Sequence, residues 1–520
     1  MCGILAIVQS SLDPEQLRLL ALERSRTLRH RGPDWNGVYV QKGKSSSTAL
    51  AHERLAIVDP TSADSRTGDF FAARDPLGIC SMYVGYASDG SIWFASEMKA
   101  LIEDCEQVSV FPPGHYFYSA LNNGQGALKR YYNPSWWGPE SPIPSRPCDL
   151  TQLREALEKS VRKTLMCDVP FGLMLSGGLD SSLVAAIAVR EFAKISASEI
   201  DSHLWTHQLH SFSIGLKDSK DLQFATKVAE GLGTVHHAFT FELKEGLDAL
   251  EDVIRLIETY DVTTIRAAVP MYLLCRLIKS LGIKVVLTGE GADEVFGGYL
   301  YFHKAPTKEA FFRELQRKLD LLQYYDVLRG NKASAAWGVE ARVPFLDREF
   351  LDYAMTLDPA AKMCTEGRIE KQILRDAFKG YLPDEVLYRQ KEQFSDGVGY
   401  DWITSLKAYA DKRVTDTMMS NASVLFPTNT PTTKEGYLYR MIFAKYYNKG
   451  SAARTVHTGP SVACSTETAL EWDEQFKRNP DQSGRSVSVH HAPVCHKHPG
   501  ESSARLVDGI AADYRKAEGR

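Results

Sequence analysis

The sequence predicts a two-domain protein of mixed α/β and α+β class: a β-rich N-terminal domain over residues 1–120, then an α/β domain over residues 150–450 with a parallel sheet and a helical C-terminal part. Three observations carry this reading. Before residue 120, short apolar runs are separated by Gly, Pro and Asp clusters, the pattern of strands closed by tight turns. After Leu150, strand-like runs alternate with helical stretches, which predicts a parallel sheet with both faces covered. A chain of 520 residues that is 44% hydrophobic can also bury two ordinary cores.

In the first domain the strand candidates are residues 4–8, 49–58, 92–95 and 114–118. One helix stands out over residues 13–29, where Leu17, Leu20, Leu22 and Leu28 follow helical spacing. Residues 121–149 are proline-rich and carry Trp136 and Trp137, which marks a linker packed down by its aromatics. Beyond it, a helix over 151–167 leads to a strand over 169–175, a Ser/Gly turn and a helix over 182–192. Further strands are expected at 209–216, 235–241 and 283–287, and residues 300–450 read as mainly helical. From about Ser451 to residue 520 the chain turns polar and reads as a disordered tail; His490, His491, His496 and His498 lack the carboxylates and repeated spacing of a metal site.

Charge and composition exclude several classes. A net charge of −4 gives no electrostatic reason to expect nucleic acid or an anionic membrane as the main partner. No run approaches the roughly 18 apolar residues of a membrane span, and the first residues lack the basic region of a signal peptide. Nine cysteines without any C-x-x-C spacing suit a reducing compartment, with the cytosol as the expected location.

The strongest chemical signal is Ser176-Gly177-Gly178-Leu179-Asp180-Ser181-Ser182, set between a buried strand and a helix. Glycines let the backbone curl around phosphates, amides at the helix start point at the anion, and the three serines add donors. Asp180 cannot assist an anion directly, so its expected role is to hold the Mg²⁺ that bridges ATP phosphates. The loop lacks the Gly-Lys-Ser/Thr of a Walker motif and resembles the pyrophosphate loop of the ATP pyrophosphatases. A second constellation, Thr288-Gly289-Glu290-Gly291-Ala292-Asp293-Glu294, follows the 283–287 strand, at the sheet end where such folds bind ligands. Asp293 is a candidate for a second Mg²⁺ contact, and Glu290 for positioning the reactants. Adenylation builds charge that cations must meet, and Arg266, Lys318 and the run Arg389-Gln390-Lys391-Glu392-Gln393 are candidates among which charge alone does not choose.

Longer stretches extend these signals. They include Val169-Pro170-Phe171-Gly172, Tyr260-Asp261-Val262-Thr263-Thr264-Ile265-Arg266, Phe296-Gly297-Gly298-Tyr299, Trp337-Gly338-Val339-Glu340-Ala341-Arg342, and Tyr388-Arg389-Gln390-Lys391. With the two loops they resemble the asparagine synthetase family, plant type, over nearly all of residues 150–450. The resemblance implies conversion of aspartate, ATP and ammonia or glutamine to asparagine, AMP and pyrophosphate through β-aspartyl-AMP, and it is compatible with a homodimer. It implies that Leu175, Ile214, Thr288 and Gly289 line the nucleotide site around Ser176, Gly177, Gly178, Asp180, Ser181 and Ser182. It ties Glu290 to adenylate formation, makes Lys391 a phosphate-contacting lysine and makes Lys318 a second. One departure is Ala268-Val269, where the family carries Ser-Thr beside the aspartyl pocket.

In the N-terminal part, Arg31-Gly32-Pro33-Asp34, His52-Glu53-Arg54-Leu55-Ala56-Ile57-Val58-Asp59, Arg74-Asp75-Pro76-Leu77-Gly78 and Ala95-Ser96-Glu97-Met98-Lys99 are similar to the family's N-terminal-nucleophile glutaminase. With Met1 removed, Cys2 carries nucleophile and base on one residue. The resemblance makes Arg54, Leu55, Ala56, Ile57 and Val58 glutamine contacts. Yet only the fourteen residues 60–73 separate Asp59 from Arg74. The family's Asn-Gly-Glu segment, whose Asn and Gly form the oxyanion hole, is absent there, and Arg66-Thr67-Gly68-Asp69 is at most a remnant of a later glutamine-binding segment. An internally truncated domain with weak or no glutaminase activity is therefore expected. Two other readings are a related amidoligase acting on another carboxylate, disfavoured by the retained Cys2, and a non-catalytic regulatory partner, disfavoured by the retained loops.

Overall fold

A computed structural model describes residues 1–43, 46–57, 70–119, 121, 126–198, 208–365, 367–392, 394–459 and 465–474. The N-terminal domain is built on strands β1 (Gly3–Ser10), β2 (Trp35–Lys42), β3 (Ser47–Arg54), β4 (Phe71–Ala73), β5 (Tyr83–Ala87), β6 (Ile92–Ala95), β7 (Cys105–Val110), β8 (His115–Tyr118) and β9 (Ala127–Arg130). Six of them form an antiparallel sheet in the order β2-β3-β1-β6-β5-β7, and β4-β8-β9 form a second, small sheet. Helix α1 (Pro14–Ser25) starts where Asp13 accepts hydrogen bonds from the amides of Glu15 and Gln16, and Pro14 suits its first turn. It buries Leu17 and Ala21 against Leu5 and Ile7 on one face of the large sheet.

On the other face, Ala6, Val8, Val84 and Phe94 pack against Ala72, Phe111 and Phe117. The cover is short. By register Trp35, Tyr39, Leu50 and Ile4 share this face, and they are 49%, 47%, 40% and 47% exposed. Three short strands lie against six, and these four side chains stay partly exposed.

Residues 126–149 do more than link. β9 pairs with β8 and completes the second sheet. Tyr132 and Trp136 are then buried against the second domain, both donating to Asp352, at 2.6 and 2.9 Å.

The second domain contains β10 (Phe171–Met174), β11 (His210–Gly215), β12 (Val235–Thr240), β13 (Val285–Leu287) and β14 (Glu340–Arg342) in a parallel sheet of order β12-β11-β10-β13-β14. Helices α2 (Leu150–Thr164), α3 (Leu179–Ser198) and α4 (Lys220–Leu232) precede or connect the first strands. Asp149 and Ser219 cap α2 and α4, and Gly233 closes α4 in the left-handed conformation. The chain runs from β10 outward to β11 and β12, then returns to the other side of β10 for β13. That reversal opens a crevice at the carboxyl ends of β10 and β13. Residues 300–450 are mainly helical, as expected.

For residues 451–459 and 465–474 the disordered tail expected over 451–520 is a correction. Helix Gly450–Arg454 buries Ala452 and Ala453, Tyr260 Oη donates to the Ala453 carbonyl at 2.8 Å, and Ala469 is fully buried. Small apolar residues spaced among polar ones gave little hydropathy signal yet suffice to dock the chain. His490, His491, His496 and His498 lie outside the described residues, and no helix among those described is long and apolar enough to cross a membrane.

Candidate functional site

The two motif loops leave the adjacent strands β10 and β13 and meet. Glycines allow the close approaches on each loop. Gly177 has φ +68°, and a Cβ there would lie 2.5 Å from the Ala225 amide nitrogen; a Cβ on Gly289 would lie 2.5 Å from the Ser181 nitrogen. The Ser176 amide donates to Ser181 Oγ at 3.1 Å, and the two hydroxyls are 3.0 Å apart. With α3 beginning at Leu179 directly after Gly178, this loop presents helix-start amides and hydroxyls to one crevice. Leu175, Ser176, Asp180, Ser181 and Ile214 line that crevice from one side; Thr288, Gly289, Glu290, Asp293 and Lys391 line it from the other. The side chain of Ser182 is buried one turn into α3.

Four charges occupy the floor. Asp180 Oδ2 accepts from Lys371 at 2.5 Å, and the same ammonium lies 2.6 Å from Asp293 Oδ1. Lys391 is 2.6 Å from Asp293 and 3.8 Å from Asp180. Burial favours a neutral Asp293, but Lys371 and Lys391 outweigh it and hold the carboxyl at about 2. Burial likewise opposes the charge on Lys391, while Asp293 and Asp180 raise its pKa above the ordinary lysine value. Asp180 Oδ1 is buried without a hydrogen-bond partner. Two adjoining carboxylates, each with one buried oxygen that makes no hydrogen bond, Asp180 Oδ1 and Asp293 Oδ1, are the hard-oxygen set a Mg²⁺ takes when phosphates supply its other ligands. No group of three or more metal-ligating side chains exists among the described residues.

Glu290 sits beside this cluster and accepts from Arg329 at 2.6 Å. Burial raises its pKa, with Asp326 adding to that, and Arg329 and Lys391 oppose it. Glu294 is pushed up to about 8 by burial and by Asp326 and Asp293; the Tyr299 hydroxyl donates to Glu294 and lies 3.1 Å from Asp326 Oδ2.

Sequence reasoning missed Lys371, Arg329, Asp326 and Tyr299. Lys371 adopts φ +58°, a rare conformation for a residue with a side chain. It reaches the site across Gly298, where a Cβ would lie 2.0 Å from its Cε. The second glycine of Phe296-Gly297-Gly298-Tyr299 was the available signal. The other basic candidates divide. Lys391 is in the crevice. Arg389 braces the phosphate loop from behind, donating to the Gly177 carbonyl at 3.0 Å and to Asp221 at 2.7 Å. Lys318 is buried over the rings of Tyr299 and Tyr325 and lines a neighbouring cavity. Arg266 makes a buried two-point pair with Glu435 at 2.9 and 2.6 Å. Arg266→Ala should lower unfolding free energy by about 3–5 kcal/mol, read from denaturant titration, because Glu435 is left charged and buried. Ala268 and Val269 are fully buried in the core, whereas Thr263 and Ala267 of the same helix line the crevice.

In the N-terminal domain the Leu55 amide donates to Cys2 Sγ at 3.4 Å. Burial pushes the Cys2 thiol up, but His52, the Leu55 amide and the N-terminal ammonium outweigh it and bring its pKa below the ordinary value. The Met1 ammonium pairs with Glu340 at 3.0 Å, so the Cys2 nitrogen is here an amide. Arg54 ends β3. Leu55, Ala56 and Ile57 are buried where the two domains meet. Ala56 donates to Asp34 at 2.8 Å, Lys284 bonds the same carboxylate at 2.8 Å, and the Asp168 amide bonds the Ile57 carbonyl at 2.9 Å. Val58 and residues 66–69 lie outside the described residues.

The chain matches the asparagine synthase family over residues 152–314 and 305–474, and two glutamine amidotransferase domain families over residues 1–66 and 55–103. It is 48% identical to an asparagine synthetase (glutamine-hydrolyzing) of Triphysaria versicolor, covering 98% of each chain. It is 48% identical to asparagine synthetase (glutamine-hydrolyzing) 2 of Arabidopsis thaliana over 98% of this chain and 99% of that one, and 50% identical to the Asparagus officinalis protein over 94% and 93%. The first alignment runs over 586 positions against a chain of 520 residues, so gaps lie opposite the relative.

Proposed function

The chain belongs to the asparagine synthetase family, and from that premise we propose that it makes asparagine from aspartate and ATP through β-aspartyl-AMP, releasing AMP and pyrophosphate, with ammonia as its effective nitrogen source. The observation that carries this reading is the meeting of Asp180, Asp293, Lys371 and Lys391 beneath a phosphate-shaped loop, with Glu290 alongside.

The chemistry follows from the geometry. Loop amides and the hydroxyls of Ser176 and Ser181 receive the ATP phosphates. Lys371 and Lys391, now spanning the two carboxylates, can turn to the pyrophosphate as charge builds on it. Asp180 and Asp293 would hold Mg²⁺, which supplies further neutralisation of the phosphate oxygens. A β-carboxylate oxygen of aspartate attacks the α-phosphorus, the bond to the bridging oxygen breaks, and pyrophosphate leaves with the electron pair. Ammonia then attacks the activated carbonyl, AMP leaves, and the nitrogen loses a proton. Glu290, held in place by Arg329, orients the reactants for the first step.

Purified protein assayed with aspartate and ATP, supplied with ammonia or glutamine and followed for AMP, pyrophosphate and asparagine, tests this directly. Nucleotide binding without turnover would support a regulatory chain instead, and turnover only with another carboxylate would support a different amidoligase. Glu290→Ala should lower aspartate-dependent exchange of pyrophosphate into ATP by about 10²–10³-fold while ATP still binds. Unaltered exchange would assign the adenylation role elsewhere.

A further inference from the structure

The helix Asp326–Ala335 carries two of the groups at the synthetase site and is poorly built to hold itself. Its entry residue, Tyr325, makes no side-chain cap and has φ −124°, ψ −102°. Gly330, Asn331 and Ser334 interrupt it with weak helix formers. Yet it must present Arg329 to Glu290 at 2.6 Å and Asp326 to Tyr299 at 3.1 Å.

Support comes from the N-terminal domain at both ends of the helix. Immediately before it, Gln323 accepts from Arg74 at 2.7 Å; Arg74 is itself fixed by donating to the Phe111 and Gly78 carbonyls at 2.6 and 3.0 Å. In its second half, Asn331 Oδ1 accepts from both terminal nitrogens of Arg31 and from Ser81 Oγ, each at 3.1 Å. Arg31 is anchored on Glu97 at 2.7 Å. Lys332, fully buried, donates to Tyr83 Oη at 2.7 Å and pairs with Glu258 at 2.5 Å. Glu258 in turn accepts from the amides of Met98 and Lys99 at 2.8 and 2.7 Å. Arg31, Arg74, Glu97, Glu258 and Lys332 are all buried, so none of these contacts is weakened by solvent. Asp326 and Arg329 fall between the two grips.

Resting on the function proposed above, we infer that the N-terminal domain acts as a splint for the synthetase site: through Arg74 on Gln323, Arg31 and Ser81 on Asn331, and Tyr83 on Lys332, it fixes this helix so that Arg329 meets Glu290. Asn331 and Lys332 are thereby positioning residues for adenylate formation. A domain that has lost its glutaminase strands still has this task, which none of its own catalytic groups performs.

The test uses Asn331→Ala and, as a milder change that keeps the packing, Tyr83→Phe in the full chain. Both are assayed by aspartate-dependent exchange of pyrophosphate into ATP across a pH series. Misplacing Arg329 should lower kcat by about ten- to a hundredfold with little change in KM for ATP. A second signature is specific to positioning. Glu290 is faced by Arg329 and Asp326 from this helix and by Lys391 from the opposite loop, and Asp293 and Glu294 of its own loop line the same crevice. Losing the cation raises the Glu290 pKa, so the acid limb of the exchange profile should move to higher pH in both variants. Exchange present in the unsubstituted protein, with normal kcat and an unmoved acid limb in the folded variants, overturns the splint alone. A loss of activity with an unmoved acid limb overturns it too, by reducing the contacts to general stability. No exchange in the unsubstituted protein overturns the proposed function and the splint with it.

Discussion

Replacing Asp180 with alanine should lower pyrophosphate release from aspartate and ATP by about 10²–10³-fold while leaving a folded protein. Asp180 stands at the end of the Ser176–Ser182 loop that meets Asp293 across Lys371 and Lys391. It accepts from Lys371 on one oxygen and leaves the other, Oδ1, buried and unsatisfied. On the function proposed above, its removal takes away one of the two carboxylates that would hold Mg²⁺, and it frees the ammonium shared with Asp293. The fold should tolerate the change because Lys371 and Lys391 each keep Asp293 as a partner, at 2.6 Å in both cases. Asp180→Asn separates the roles: it preserves the size of the side chain and loses the charge. If charge at this position is what matters, the asparagine variant should be as inactive as the alanine variant, with raised Mg²⁺ dependence of any residual rate. A coupled pyrophosphate assay read beside thermal unfolding decides it. Near-normal pyrophosphate release by folded Asp180→Ala would remove the residue from the metal site.

Much of this site was legible because it is local in sequence. Ser176 to Ser182 and Thr288 to Glu294 are contiguous loops, and a strand–helix alternation was enough to place both at the same end of a parallel sheet. What escaped notice depends on contacts across long separations. Lys371 reaches Asp180 from 191 residues away, and its left-handed backbone has no sequence signature. Arg329 and Asp326 lie on a helix whose orientation depends on Arg31 and Arg74, some 300 and 249 residues distant at their contacts with Asn331 and Gln323. Arg266 stayed an open candidate for the same reason: nothing near it in the chain announces Glu435. The helix Gly450–Arg454 was lost in a polar stretch because Ala452 and Ala453 contribute little hydropathy, and small residues can dock where large ones cannot. In the N-terminal domain the reverse held. The short spacing between Asp59 and Arg74 was legible directly, whereas the partly exposed face around Trp35, Tyr39 and Leu50 emerges only from the strand register.

Asparagine formation should run about 10²–10³-fold faster with ammonia than with glutamine, the opposite of what the name of the glutamine-hydrolyzing relatives would suggest. The nucleophile itself is not at fault. His52, the Leu55 amide and the N-terminal ammonium bring the Cys2 thiol below its ordinary pKa despite burial, and removing Met1 would release the α-amine now committed to a peptide bond. The proposed deficit lies after the attack. The negative oxygen of the tetrahedral intermediate needs two preorganised donors, and the Asn-Gly-Glu segment that would carry them is absent between Asp59 and Arg74. Nor is the remaining wall open: the peptide groups of Leu55, Ala56 and Ile57 are engaged by Cys2, Asp34, Lys284 and Asp168. Glutamine should thus bind poorly as well as react slowly, so both KM and kcat of the glutamine-driven reaction suffer. A cysteine-alkylating glutamine analogue should label Cys2 slowly, measured by intact-protein mass spectrometry. Cys2→Ala should abolish whatever glutamine-driven synthesis remains and leave the ammonia-driven rate standing, because Cys2 makes no contact with the crevice between β10 and β13. Glutamine-driven synthesis matching the ammonia rate and lost in Cys2→Ala would mean that another segment of this chain supplies the oxyanion donors.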